Sequence, residues 1–210
     1  MRKTLLIAAA AAAAAGLAAS AAAQDLRPSG LFNLFISPCG EPFEAPKADA
    51  YPVVLWFSGA DANHDGKLDI DEMRGDAARF FKALDRNGDG VIDGPEVTWY
   101  ETRLVPEILA PPTGALDTGM VRVAMQSLID PTPRDDDPLE TRQGASFYSL
   151  FREPEPVRSA DRNFDYRISL QEFLAHSDRH FKALDSDGVG YLTLATLPKT
   201  EAERRAKAHR

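Results

Sequence analysis

Two stretches of the chain repeat one another in their apolar and polar positions. Phe80-Phe81-Lys82-Ala83-Leu84-Asp85 returns 100 residues later as His180-Phe181-Lys182-Ala183-Leu184-Asp185, and Asp61-Ala62-Asn63 returns at the same offset as Asp161-Arg162-Asn163. A repeat at a fixed offset indicates a duplicated structural unit. In each copy two acidic segments start 24 residues apart, at Asp61 and Asp85 and again at Asp161 and Asp185. The lead-ins agree as well, with Leu34-Phe35 before Glu41-Pro42 and Leu150-Phe151 before Glu153-Pro154. Between the copies, proline and charge dominate at 110–114 and 131–138, the composition of loops. Leu116, Met120, Val123, Ala124 and Leu128 keep a helical spacing between those loops, while Val121, Val123 and Met125 also alternate as in a strand; helix is the favoured reading. The expected layout is a first half over 24–130, a linker over 131–145, a second half over 146–198 and a basic C-terminal tail over 199–210.

The acidic segments carry the chemistry. Calcium is a hard cation that takes six to eight oxygens, and a 12-residue loop supplies them from positions 1, 3, 5, 7, 9 and 12. Segment 61–72 offers Asp61, Asn63, Asp65, the backbone carbonyl of Lys67, Asp69 through a water, and Glu72 with both oxygens. Gly66 stands at the sixth position, where the backbone must turn sharply. Segment 85–96 repeats the pattern with Asp85, Asn87, Asp89, the carbonyl of Val91, Asp93 and Glu96, turning at Gly90. The apolar eighth positions, Leu68 and Ile92, suit a short strand with its side chain on a core.

The second copy departs from this pattern. Segment 161–172 keeps Asp161, Asn163, Asp165, the backbone of Arg167, Ser169 and Glu172, but places Tyr166 at the sixth position. A side chain in the left-handed backbone region costs about 1–2 kcal/mol, and Arg167 adds positive charge at the rim, so an occupied and an empty third loop both stay open. In segment 185–196, Val189 and Thr196 stand where carboxylates are needed, and this loop is expected to be empty. It would survive either as a structural partner of another loop or through neutral decay.

Four such loops resemble the EF-hand superfamily, and the resemblance covers most of the chain beyond residue 23. The segments Ile36-Ser37-Pro38-Cys39-Gly40-Glu41-Pro42-Phe43 and Glu153-Pro154-Glu155-Pro156-Val157 further resemble exported EF-hand domain-containing proteins of alphaproteobacteria. The resemblance implies a mainly α fold of duplicated EF-hand (helix-loop-helix) pairs with short β-bridges between loops. It implies Ca2+ at two sites, with the third left open, and no established activity.

The 24-residue spacing restricts the geometry. Only residues 73–84 separate Glu72 from Asp85, and as one helix these 12 residues span about 18 Å. A single helix must leave loop one and enter loop two, which puts the two loops at its opposite ends. Loops that need a β-partner must then find it across the duplication, loop one with loop four and loop two with loop three. Gly75 is the position where a kink would undo this.

Composition adds compartment and limits. Met1-Arg2-Lys3, an alanine-rich apolar run and Ala21-Ala22-Ala23 form the pattern of a signal peptide over 1–23, with cleavage after Ala23 and a periplasmic or secreted product. Loss of Arg2 and Lys3 takes the formal charge from −8 to −10, which argues against nucleic acid as a partner. No transmembrane segment is expected after cleavage. Cys39 is the single cysteine, so no internal disulfide staples the fold; a small residue in a Pro-Cys-Gly turn is favoured over a thiol that pairs with another chain. His176 and His180 lie four apart on one predicted helix face, a spacing that zinc uses, but a helix surface or core edge is the favoured reading. His64 stands at loop position four, outside the ligand set. No nucleophile and base constellation supports an enzyme. Thr200-Glu201-Ala202-Glu203 reads as a capping box that opens a solvated helix in the basic tail. A calcium buffer or calcium-stabilised module leads. A sensor and an accessory or inhibitor subunit that uses Trp56, Trp99, Tyr100 and 114–129 are the alternatives, although only Met73, Met120 and Met125 remain for a methionine-rich groove.

Overall fold

The computed structural model describes residues 31–109 and 144–208. The expected signal peptide, the 114–129 segment and nearly all of the 131–145 linker lie outside the described residues.

A β-hairpin that the periodicity did not announce opens the described chain. Strand β1 (Phe32–Ile36) pairs antiparallel with β2 (Pro42–Pro46). The turn between them is closed by Ser37 N–H to the Glu41 carbonyl at 2.8 Å and by Glu41 N–H to Ser37 Oγ at 3.0 Å. Gly40 sits there at φ +98°, and a Cβ on it would come within 2.9 Å of the Tyr100 hydroxyl. Cys39 is buried in this turn. The fold is therefore helix-loop-helix with small sheets, and not plainly all-α.

Helix α1 (Val53–Ala60) runs into loop one. Helix α2 (Ile70–Leu84) leaves loop one and enters loop two as a single element. Gly75 does not break it. The helix-propensity cost of that glycine, about 1 kcal/mol, is offset by burial of Met73, Ala77, Phe80, Phe81 and Leu84 along one face. After loop two come α3 (Gly94–Trp99) and a π-helical turn, Tyr100–Leu104. Helix α4 (Leu170–Leu184) joins loops three and four as α2 joins one and two, and α2 packs along α4.

The loops pair across the duplication. Strand β3 (Leu68–Asp69) is antiparallel to β6 (Tyr191–Leu192), with Leu68 opposite Leu192. Strand β4 (Val91–Ile92) is antiparallel to β5 (Ile168–Ser169), with Ile92 opposite Ile168. Each apolar pair anchors a core. Leu68 and Leu192 join Phe35, Trp56, Phe57, Met73 and Phe181. Ile92 and Ile168 join Phe80, Phe81, Tyr100 and Phe173. Trp56 and Tyr100 are thus core residues, and Trp99 packs partly buried under the Arg86 guanidinium at 4.6 Å.

The second copy is not a complete pair of helix-loop-helix units. A short 3-10 turn, Arg158–Ala160, enters loop three where α1 enters loop one. Loop four leads into a turn instead of a helix. The basic tail also differs from expectation. Helix α5 (Glu201–Ala208) packs against β1. Thr200 Oγ1 accepts Glu203 N–H at 3.0 Å and lies 2.8 Å from the Tyr51 hydroxyl. The basic side chains Arg204 and Arg205 bond Glu201, and Lys207 bonds Glu203, so the tail is a docked helix.

Candidate metal centres

The four loops share one set of internal hydrogen bonds. The sixth residue donates its backbone N–H to Oδ2 of the first aspartate in each: Gly66 to Asp61 at 2.9 Å, Gly90 to Asp85 at 3.0 Å, Tyr166 to Asp161 at 3.0 Å and Gly190 to Asp185 at 3.1 Å. In the first three, the side-chain Oδ1 of the third residue accepts the fifth residue's N–H. These are Asn63 to Asp65, Asn87 to Asp89 and Asn163 to Asp165, all at 2.8 Å. The fifth aspartate accepts from the seventh residue in turn, from Lys67, Val91 and Arg167.

Positions nine and twelve serve a second purpose, because their spacing is that of a capping box. Asp69 caps α2 by accepting from Asp71 and Glu72 N–H, and Glu72 Oε2 accepts Asp69 N–H at 3.0 Å. Glu96 Oε2 takes Asp93 N–H at 3.1 Å and Glu172 Oε2 takes Ser169 N–H at 3.0 Å. The second oxygen of the glutamate reaches back across the first two loops. Glu72 Oε1 accepts Asn63 N–H at 3.2 Å, and Glu96 Oε1 accepts Arg86 N–H at 2.7 Å. Glu172 is instead held by Ser169, whose hydroxyl donates to it at 2.8 Å. In loop four, Thr193 N–H goes to Thr196 Oγ1 at 3.1 Å, a hydroxyl in the glutamate's place. A threonine cannot supply the two oxygens and charge of that carboxylate, and the exit helix is absent with it.

The donor sets fit a hard cation. Every side chain at a ligand position in the first two loops offers oxygen, and calcium takes oxygen ligands. Asp93 Oδ1 is shut off from solvent with no hydrogen-bond partner, as is Asp185 Oδ1 in loop four. Such groups are costly to leave unpaired, and a cation or its water would satisfy them. Asp61 and Glu96 are themselves buried.

Sequence reasoning missed a feature of the backbone. Position four is left-handed in every loop, at His64 (φ 59°), Gly88 (73°), Phe164 (60°) and Gly188 (69°), as is position six, at Gly66 (79°), Gly90 (84°), Tyr166 (64°) and Gly190 (85°). Loop two has glycine at both positions, loop one at one, and loop three at neither. Glycine at position 88 was the available signal. Phe164 and Tyr166 are 81% and 79% exposed, so no packing repays their strain.

Outside the loops, His176 and His180 are buried on the inner face of α4, and Glu153 stands over both. The pairing with Glu153, which precedes the helix by 17 residues, was not legible from the histidine spacing alone.

Comparison with known proteins bears on the loops. No curated protein matches the chain. Among the described residues, no helix is long and apolar enough to cross a membrane. The family model described as EF hand matches residues 53–75 and 77–97, the segments that hold loops one and two, and this implies calcium as the ligand. These two adjacent matches support membership of the chain in the EF-hand superfamily.

Proposed function

We propose that the chain is an exported calcium-binding protein that holds calcium in loops 61–72 and 85–96 and acts as a buffer or calcium-stabilised structural module. The observation that carries this reading is the posture of Glu72 and Glu96. Each holds the ninth-position amide with one oxygen and the start of its loop with the other, so both oxygens of the bidentate ligand are directed inward. The pattern in residues 1–23 supports export, as does the likeness of segments 36–43 and 153–157 to exported alphaproteobacterial EF-hand proteins. Outside the cytoplasm, affinities of about 0.1–1 mM are in keeping with extracellular calcium modules. Burial of Met73 leaves little support for a sensor groove, and no enzymatic activity forms part of the proposal.

Calorimetric titration of the chain from Gln24 onward, with magnesium competition and an apolar-surface dye, tests the reading. Two calcium ions per chain without a rise in dye signal are expected. Absence of calcium binding would overturn it, and a calcium-dependent dye signal would replace the buffer by a sensor.

A further inference from the structure

The two copies treat one carboxylate differently. In the first, Glu41 of the lead-in is bound by both terminal nitrogens of Arg79, and Arg79 also reaches Asp76. In the second, the residues 100 positions on are His176 and Arg179, and His180 replaces Phe80. Arg179 does not neutralise the lead-in carboxylate there. It donates to the Ala175 carbonyl at 3.2 Å and to His176 Nδ1 at 2.9 Å. Glu153 is left facing two imidazoles, with Oε2 3.1 Å from His176 Nε2 and Oε1 3.2 Å from His180 Nε2.

Three observations make this cluster more than an ion pair. The ligating atoms of Glu153, His176 and His180 all lie within 4.8 Å of one another. His176 is 2% exposed, and although its Nε2 lies 3.1 Å from Glu153 Oε2, neither atom completes a hydrogen bond of good geometry. His180 is prepared as a ligand: its Nδ1–H donates to the Pro38 carbonyl at 2.9 Å, and Phe151 stacks on its ring at 3.8 Å. A backbone carbonyl on the far nitrogen fixes the tautomer and aims Nε2, as it does for metal-bound imidazoles in general.

We propose that Glu153, His176 and His180 form a zinc-class site, independent of the calcium loops, with two imidazole nitrogens and one carboxylate as ligands. Imidazole nitrogen donors select borderline transition ions over calcium, which takes oxygen ligands. Glu153, with 30% of its side chain exposed, is the member of the trio nearest to solvent. Arg179 opposes binding, because its bond to His176 Nδ1 leaves the hydrogen on Nε2. Zinc entry requires Arg179 to release that nitrogen.

The test is zinc titration of the full chain under saturating calcium, which blocks the loops, with cobalt as an absorbing substitute. One zinc per chain is expected, with the intense visible bands of four-coordinate cobalt. E153Q should weaken zinc by at least about tenfold and leave calcium stoichiometry unchanged. H176Q should do the same, and where that buried change prevents folding the half-exposed Glu153 carries the test. R179A should tighten zinc, an effect that a purely structural role for the cluster would not give. No zinc uptake by the folded, calcium-saturated chain would overturn the proposal, as would uptake that E153Q leaves intact. Because calcium binding is read separately, failure here leaves the function of the loops standing.

Discussion

Leu68 of the first loop and Leu192 of the fourth are direct antiparallel partners, and both side chains are sealed from solvent. Loop one therefore depends on a segment that is itself poor in ligands. The first half on its own lacks both strand partners, since β4 pairs with β5 in the same manner. A fragment of residues 61–110 is expected to fold poorly with calcium present. A well-dispersed NMR spectrum from the monomeric fragment would refute the dependence.

Calcium removal should lower the melting temperature of the whole chain. A ligand that binds only the native state adds about 2.7 kcal/mol per site at a hundredfold excess over Kd. E72Q and E96Q should each eliminate most of one site, because the twelfth residue supplies two oxygens and a full charge. Scanning calorimetry with and without chelator, together with calcium stoichiometry of the two variants, checks both statements. Unchanged stoichiometry would show the assignment of sites to be wrong.

Backbone strain should rank the loops. Loop three carries two left-handed non-glycine residues and loop one carries His64. Each replacement by glycine is worth about 1–2 kcal/mol. Tyr166→Gly should therefore strengthen the third loop several-fold but recover only part of the deficit, and Phe164→Gly in addition should recover more. His64→Gly should bring loop one toward loop two. Thr196→Glu should restore little while Val189 persists. Calcium titrations of these variants decide the order.

Cys39 should be inert in the native state. Burial, with the nearby Asp76 carboxylate, pushes its thiol up to about 12, and the thiolate is the reactive form. Thiol reagents at pH 8 are expected to label the chain only after denaturation. Rapid labelling of the folded protein, or a dimer linked through Cys39, would contradict this.

Much of this was legible because the loop ligands and the 24-residue spacing are local patterns. Two loop starts separated by one helix's length force cross-pairing, and the observed partners of Leu68 and Ile92 follow from that alone. The hairpin at 32–46 was hidden because its strands are short and one begins and ends in proline. The left-handed state of His64 and Phe164 was hidden because the fourth loop residue gives no ligand, so the ligand pattern leaves its backbone unspecified. Glu153 belongs to a repeated lead-in, yet its contact with α4 depends on how that lead-in packs, which spacing does not encode. The docked tail depended likewise on Tyr51 and Thr200, 149 positions apart.

Helices α2 and α4, each 15 residues long, and the two strand pairs at their ends form a closed circuit. Closure makes each helix a ruler for the other. One residue inserted into α2 alone would advance its far end by about 1.5 Å and turn it by about 100°. Leu68 could then stay opposite Leu192 only if Ile92 abandoned Ile168. The lengths of the two helices are thus free to change only together, a restraint that the calcium ligands themselves do not impose.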